Sequence, residues 1–164
     1  MKNTTLCYIE SNGKYLMLHR VKKENDANKD KWIGIGGKFE DEESPQDCAV
    51  REIREETGLW FLPEALRYRG IVTFVSDRWE TEYMHLFTAN ADAVVFSAAD
   101  TGSMKNTPSE NEEGVLEWIE KEKITDLPIW EGDRVFLELL KREAPFFSLK
   151  LVYEGEKLAD SVLY

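Results

Sequence analysis

The chain has 164 residues, 42% hydrophobic and 12% aromatic, which suits a single domain over residues 1–164 with a real core. Its formal net charge of -11 argues against a grip on DNA or RNA, because long nucleic acids are held by many basic phosphate contacts. Two cysteines, Cys7 and Cys48, are too few for a disulfide framework, and neither a membrane span nor a basic leader is evident between Met1 and Arg20. A reducing cytoplasm is the expected setting.

Thr5 to Glu10 and Tyr15 to Val21 read as strands joined by Ser11-Asn12-Gly13-Lys14, where Asn-Gly is a hairpin signal. A charged loop, Lys22 to Lys31, leads into a short apolar strand, Trp32 to Ile35, which delivers the chain to Gly36 and Gly37. Ser44, Pro45 and Asp47 then mark a helix start, supplying a capping hydroxyl, a proline at the first helical position and an acid at the positive end of the dipole. This helix is expected over Pro45 to Thr57. Gly58 ends it, since a residue without Cβ takes the left-handed conformation freely. Its inward stripe is Ala49, Val50, Ile53 and Thr57, with Cys48 as a further core residue.

Leu66 to Ser76 and Thr81 to Ala91 are β-rich and linked near Asp77-Arg78. Ser97 to Gly114 is polar and longer than an ordinary connection, as functional or mobile loops are. Val115 to Glu120 is strand-like, and Trp130 to Arg142 carries a helical stripe of Val135, Phe136, Leu139 and Leu140. Phe146 to Tyr153 and Leu158 to Leu163 form a closing hairpin across Glu154-Gly155. Strands with two separated helices predict a layered α+β domain.

The first helix carries the chemistry. Glu52, Glu55 and Glu56 lie three and four residues apart, so their carboxylates crowd an outward face, where like charges cost a few tenths of a kcal/mol per pair. Divalent Mg²⁺, or Mn²⁺ in its place, offsets that repulsion and keeps positions open for water and phosphate oxygens. Arg51 is placed to pair with Glu43 or Glu55 and so to hold the acids. An acidic protein can hold a small nucleotide when cations neutralise the charge between them, so the net charge and a metal site agree.

From Gly37 onward the chain runs Gly, five residues, Glu43, seven residues, Arg51-Glu52-Ile53, one residue, Glu55-Glu56, one residue, Gly58-Leu59. At every fixed position this resembles the Nudix hydrolases, which cleave nucleoside diphosphates linked to a further group. The resemblance implies the α/β/α sandwich with a mixed sheet, metal bound by Glu52, Glu55, Glu56 and the Gly36 carbonyl, and in-line attack of water on phosphorus without a covalent intermediate. The general base is then Glu52 or a loop acid, for which Glu113 is the candidate by its distance before Trp118. Gly37, Lys23 and Lys38 are candidate phosphate contacts, since an ammonium stabilises developing charge.

Lys31-Trp32-Ile33-Gly34-Ile35-Gly36-Gly37-Lys38 and Leu127-Pro128-Ile129-Trp130-Glu131-Gly132-Asp133 look like the MutT-type branch, which hydrolyses oxidised purine deoxynucleoside triphosphates such as 8-oxo-dGTP. In its mammalian relatives a tryptophan and a nearby aspartate hold the purine, and Trp130 and Asp133 occupy the matching positions. Base stacking is worth about 1 to 3 kcal/mol. The alternative is that Trp130 packs the second helix onto the sheet and Asp133 is a helix-start acid. Ile33 stands where those relatives carry a base-contacting asparagine, which removes a donor and an acceptor. Phe74 to Asp77 hold neither the proline associated with ADP-ribose hydrolases nor the tyrosine associated with diadenosine polyphosphate hydrolases. His19, His85 and Cys7 lack partners for zinc or nucleophilic chemistry and are expected to be structural.

Overall fold

The computed structural model describes residues 1–97 and 110–164. Alternation of side chains along the strands decides the layering. On β1 (Lys2–Ser11), Leu6 and Tyr8 point to one face and Cys7 and Ile9 to the other; on β2 (Lys14–Arg20), Tyr15 and Met17 oppose Leu16 and Leu18. Both faces are therefore apolar, and each takes a helix. Ala49 and Ile53 of α1 (Pro45–Thr57) cover the Cys7 face, while Phe136, Leu139 and Leu140 of α2 (Asp133–Lys141) cover the Leu6 face. The result is the expected α/β/α sandwich.

The remaining strands are β3 (Trp32–Ile33), β4 (Leu59–Trp60), β5 (Arg67–Ser76), β6 (Glu82–Asn90), β7 (Phe96–Ser97), β8 (Gly114–Glu120), β9 (Phe147–Glu154) and β10 (Lys157–Leu163). The main sheet runs β10-β9-β5-β6-β1-β2-β3, with β8 also paired to β2, and is mixed: β1 lies parallel to β6 and β5 to β9. β4 and β7 form a separate antiparallel pair. Among the described residues no helix is long and apolar enough to cross a membrane.

The predicted first hairpin is present only at its tip, where Glu10 faces Tyr15 and Ser11 faces Lys14. Beyond it the two strands part, and residues 32–39 enter the gap. Trp32 and Ile33 pair with β2, whereas Ile35 and Lys38 bridge to Cys7 and Thr4 of β1. The amide of Thr5 donates to Gly37 O at 2.9 Å and that of Cys7 to Ile35 O. This wedge is why the strand expected over Trp32 to Ile35 is interrupted after Ile33. Gly36 is required by the closeness of β1: a Cβ there would lie 1.8 Å from Thr5 O.

α1 begins as its sequence dictates. Ser44 Oγ accepts from the Asp47 amide at 3.1 Å, Asp47 Oδ2 accepts from the Ser44 amide at 3.0 Å, and Gly58 closes the helix at φ 73°. α2 starts three residues later than the periodicity suggests, since Trp130 to Gly132 form a preceding turn in which the Asp133 amide donates to Trp130 O. Ser97 and residues 110–114 border the predicted polar loop; its residues 98–109 lie outside the described ones.

Candidate active site

The wedge holds Gly36 and Gly37 directly above α1. A Cβ on Gly37 would stand 2.4 to 2.5 Å from the Glu52 carboxyl atoms, so the absent side chain leaves the space in which that carboxylate sits. Arg51 fixes the acids around it. Its Nε and Nη2 grip Glu43 at 2.6 and 3.0 Å, Nη1 donates to Glu52 at 2.7 Å and Glu55 at 3.3 Å, and Nη2 also reaches Lys38 O at 2.9 Å. A planar guanidinium can satisfy four acceptors at once, which an ammonium cannot. Beside it the Glu43 carboxyl is pulled down to about 2 by the Arg51 hydrogen bonds.

Glu56 is placed differently from expectation. It turns inward from the face it shares with Glu52 and Glu55, and its Oε2 is sealed from water with no hydrogen-bond partner among the described residues. Burial, then the charges of Glu113 and Glu52, push its carboxyl well above the ordinary range, against the opposing pull of Arg20 and the Gly36 amide. The Glu52 carboxyl is raised too, first by burial and then, against Arg51, by Glu55 and Glu113. Glu55 is the outlying member, with its side chain 53% exposed. Among the described residues no three acid, His or Cys side chains close into a ready cation cage, because Arg51 draws Glu52 and Glu55 toward itself.

A buried carboxylate oxygen without a donor, repelled by two further carboxylates, is a poor arrangement for a metal-free protein and a good one for a hard cation. Glu52, Glu55 and Glu56 thus fit a divalent metal by the chemistry of their oxygens.

Glu113 is brought to the same place by the turn that leads into β8, the strand paired with β2. Gly114, at the start of β8, pairs with Arg20 at the end of β2; a Cβ on Gly114 would lie 1.7 Å from His19 O. Asn111 Oδ1 accepts from the Glu113 and Gly114 amides at 2.8 and 3.0 Å, and Asn111 Nδ2 donates to Glu56 O at 3.3 Å, tying this turn to α1. Arg20 Nη1 and Lys23 Nζ, the latter at 3.0 Å, both donate to Glu113. Lys23 is therefore drawn to a carboxylate beside the acids, and Lys38 has its side chain in solvent next to them. Arg20 and Asn111 were not legible in the sequence: an arginine ending a strand and an asparagine in a polar loop carry no distinctive spacing.

The second predicted group lies on the α2 face. Trp130 is only 6% exposed, set edge-on against Phe74 and Tyr153, with Nε1 donating to Asn28 Oδ1 at 2.8 Å and Lys31 Nζ 4.7 Å from the ring centroid. Packing is thus what its ring does in this structure. Asp133 is buried, its carboxyl raised to about 8 by burial against the pull of Lys31 and Arg134. Near it Tyr8 is wholly buried with a hydroxyl that has no partner among the described residues. Ile33 is half-buried beside the α1-side core. His19 stacks on Trp32 at 4.5 Å and His85 contacts Tyr68 and Asn3, structural roles as expected, and burial pushes the Cys7 thiol up, away from nucleophilic use.

Known proteins share the fold and the family pattern. Residues 2–140 match the NUDIX domain model. The chain is 32% identical over 145 residues to the uncharacterized Nudix hydrolase YvcI of Bacillus subtilis, covering 87% of this chain and 80% of that protein. It is 28% identical over 117 residues to the oxidized purine nucleoside triphosphate hydrolase of Mus musculus, covering 71% of this chain and 66% of that one. The crystal structure of the mutator MutT protein from Bacillus halodurans superposes with a TM-score of 0.79 at 21% identity, covering 99% of this chain and 97% of that one. With the glycine wedge, the Arg51-held acids and this match in hand, the chain belongs to the NUDIX family, that of the Nudix hydrolases.

Proposed function

We propose that this Nudix hydrolase is a Mg²⁺-dependent nucleoside triphosphate pyrophosphohydrolase of the cytoplasm, acting on oxidised purine nucleotides such as 8-oxo-dGTP to give the monophosphate and pyrophosphate. The observation that carries the metal-dependent hydrolysis is the partnerless Glu56 oxygen, sealed beside Glu52 and Glu113. Glu52, Glu55, Glu56 and the Gly36 carbonyl would hold the cation, with Mn²⁺ as a substitute. Bound there, it would neutralise diphosphate charge and acidify the attacking water.

The chain's own residues supply the rest. Glu52, held by Arg51 and raised by burial, or Glu113 accepts the proton of that water. Arg51 is a positioning residue, fully engaged with protein acceptors. Lys38, in solvent beside the acids, and Lys23, on release from Glu113, would offer ammonium groups to phosphate oxygens. The oxidised purine assignment is supported by the likeness to the mouse enzyme and by the MutT-type resemblance, which assigns Trp130 and Asp133 to the purine.

A second reading, a Nudix hydrolase of another nucleoside diphosphate derivative, is favoured by Ile33 and by Trp130, whose ring is already packed and has Lys31 over it. A pyrophosphate- and phosphate-release screen with Mg²⁺ decides between them. Oxidised purine triphosphates should exceed normal ones in kcat/KM; a preference for nucleotide sugars or dinucleoside polyphosphates would overturn the first reading.

A further inference from the structure

A second cleft lies on the α2 face, at the end of β1 away from the glycine wedge. Its volume is about 390 Å³, within the range of small-molecule sites, and none of its lining residues belongs to the diphosphate site described above. Its floor is Arg69, 5% exposed, with Thr88 and Tyr15 beside it and Lys121, Arg134 and Lys141 at the rim.

Arg69 reaches that floor because the strand is irregular there. Tyr68 pairs with Phe87 and Gly70 with Leu86, the next residue back, so Arg69 is the extra residue of a β-bulge. Regular alternation would put Tyr68 and Val72 on one face and Arg69 on the other. Instead Tyr68 packs on the α1 side, Val72 on the α2 side, and Arg69 turns toward α2 with Nη2 3.5 Å from Leu140 O. Bulges re-aim side chains in this manner near functional sites.

The guanidinium so placed has more donors than partners. Its contacts among the described residues are Thr88 Oγ1 at 3.1 Å, Leu140 O at 3.5 Å and Glu143 at 3.4 Å. Glu143 is 62% exposed and shared with Arg67, which holds the same oxygen at 3.0 Å. A fork with five N–H donors thus has donors left over toward the cleft, and its carboxylate partner among the described residues is a solvent-exposed one divided between two arginines. Three further acids line the cleft, Glu10, Glu122 and Glu138, of which Glu10 is taken by Lys121.

We propose that this cleft is a second ligand site, in which Arg69 receives the oxyanion head of a small molecule, a carboxylate or a phosphate, with Arg134 and Lys141 completing the charge at the rim. The site is independent of the substrate reading above. The test is a residue-resolved NMR titration of the full chain in EDTA, with inorganic phosphate in one arm and succinate in the other, following Arg69 Nε–H and the Thr88 amide.

A saturable shift at both groups supports the site, and the anion that binds more tightly identifies the head group. Arg69→Lys, which keeps the charge and loses the fork, should weaken binding about tenfold. Lys141→Ala, a surface change that leaves the fold alone, should weaken it several-fold, and Glu56→Gln should leave it unchanged. The proposal is overturned if neither anion shifts Arg69, if Lys141→Ala has no effect on binding, or if the shifts sit at Gly36 to Lys38 and vanish with Glu56→Gln.

Discussion

The two adjacent glycines of the wedge make opposite predictions under the same substitution. In Gly37→Ala the new Cβ meets the Glu52 carboxyl at 2.4 to 2.5 Å, where ordinary contact begins at 3.4 Å. The obstacle is the far end of a side chain, so Glu52 retreats and the backbone stays. A misplacement of about 1 Å at a reacting group costs on the order of 100-fold in rate. In Gly36→Ala the Cβ meets Thr5 O at 1.8 Å, a backbone atom in the middle of the sheet, and nothing can yield without parting the wedge from β1. Overpacking of that kind costs about 3 kcal/mol or more, which for a chain of this size lowers the thermal midpoint by roughly 6 to 12 °C. Pyrophosphate release with Mg²⁺ and thermal unfolding, measured on both variants, separate the two. Gly37→Ala with wild-type turnover would refute the placement of Glu52 as a working group, and Gly36→Ala with an unchanged midpoint would refute the wedge.

Four further outcomes follow from the same geometry. Because burial and like charge raise the Glu56 carboxyl, the metal-free protein should lose stability as pH rises above its ordinary 4.5; Glu56→Gln should remove that loss, lower turnover by orders of magnitude and abolish the midpoint gain on adding Mg²⁺, worth about 2.7 kcal/mol at a hundredfold excess over Kd in the wild type. Arg51→Lys cannot hold Glu43, Glu52 and Lys38 O together, so kcat should fall at least about tenfold, and the stability that Glu43 contributes above 4.5 and loses as pH falls toward about 2 should shrink in acid titrations. Asp133, raised by burial to about 8, makes the folded state less stable as pH climbs from 3.8 through about 8; Asp133→Asn should flatten thermal midpoints measured between pH 5 and 8.5. Trp130→Ala should raise KM far more for oxidised purine than for pyrimidine triphosphates, whereas equal effects in steady-state assays would leave packing as its only role.

By itself the sequence determined the features of α1 that depend on neighbours along the chain. The start of α1 at Ser44-Pro45, its end at Gly58, its inward stripe, of which Ala49, Ile53 and Thr57 are buried and Val50 partly so, and the pairing of Arg51 with Glu55 are local consequences of helical spacing and capping. The register of the Nudix pattern was equally local. What only the tertiary structure decided are the places where distant segments meet. Helical spacing puts Glu52, Glu55 and Glu56 on one side of a helix but cannot say that the wedge of residues 32–39 and the Asn111 to Gly114 turn bury Glu56 while leaving Glu55 in solvent. Asn-Gly predicts a continuous first hairpin because it fixes a turn, and a turn carries no information on a third segment that parts its strands. Arg69 was invisible for the same reason, since an arginine inside an alternating strand reads as solvent-facing until a bulge of one residue against β6 reverses its side.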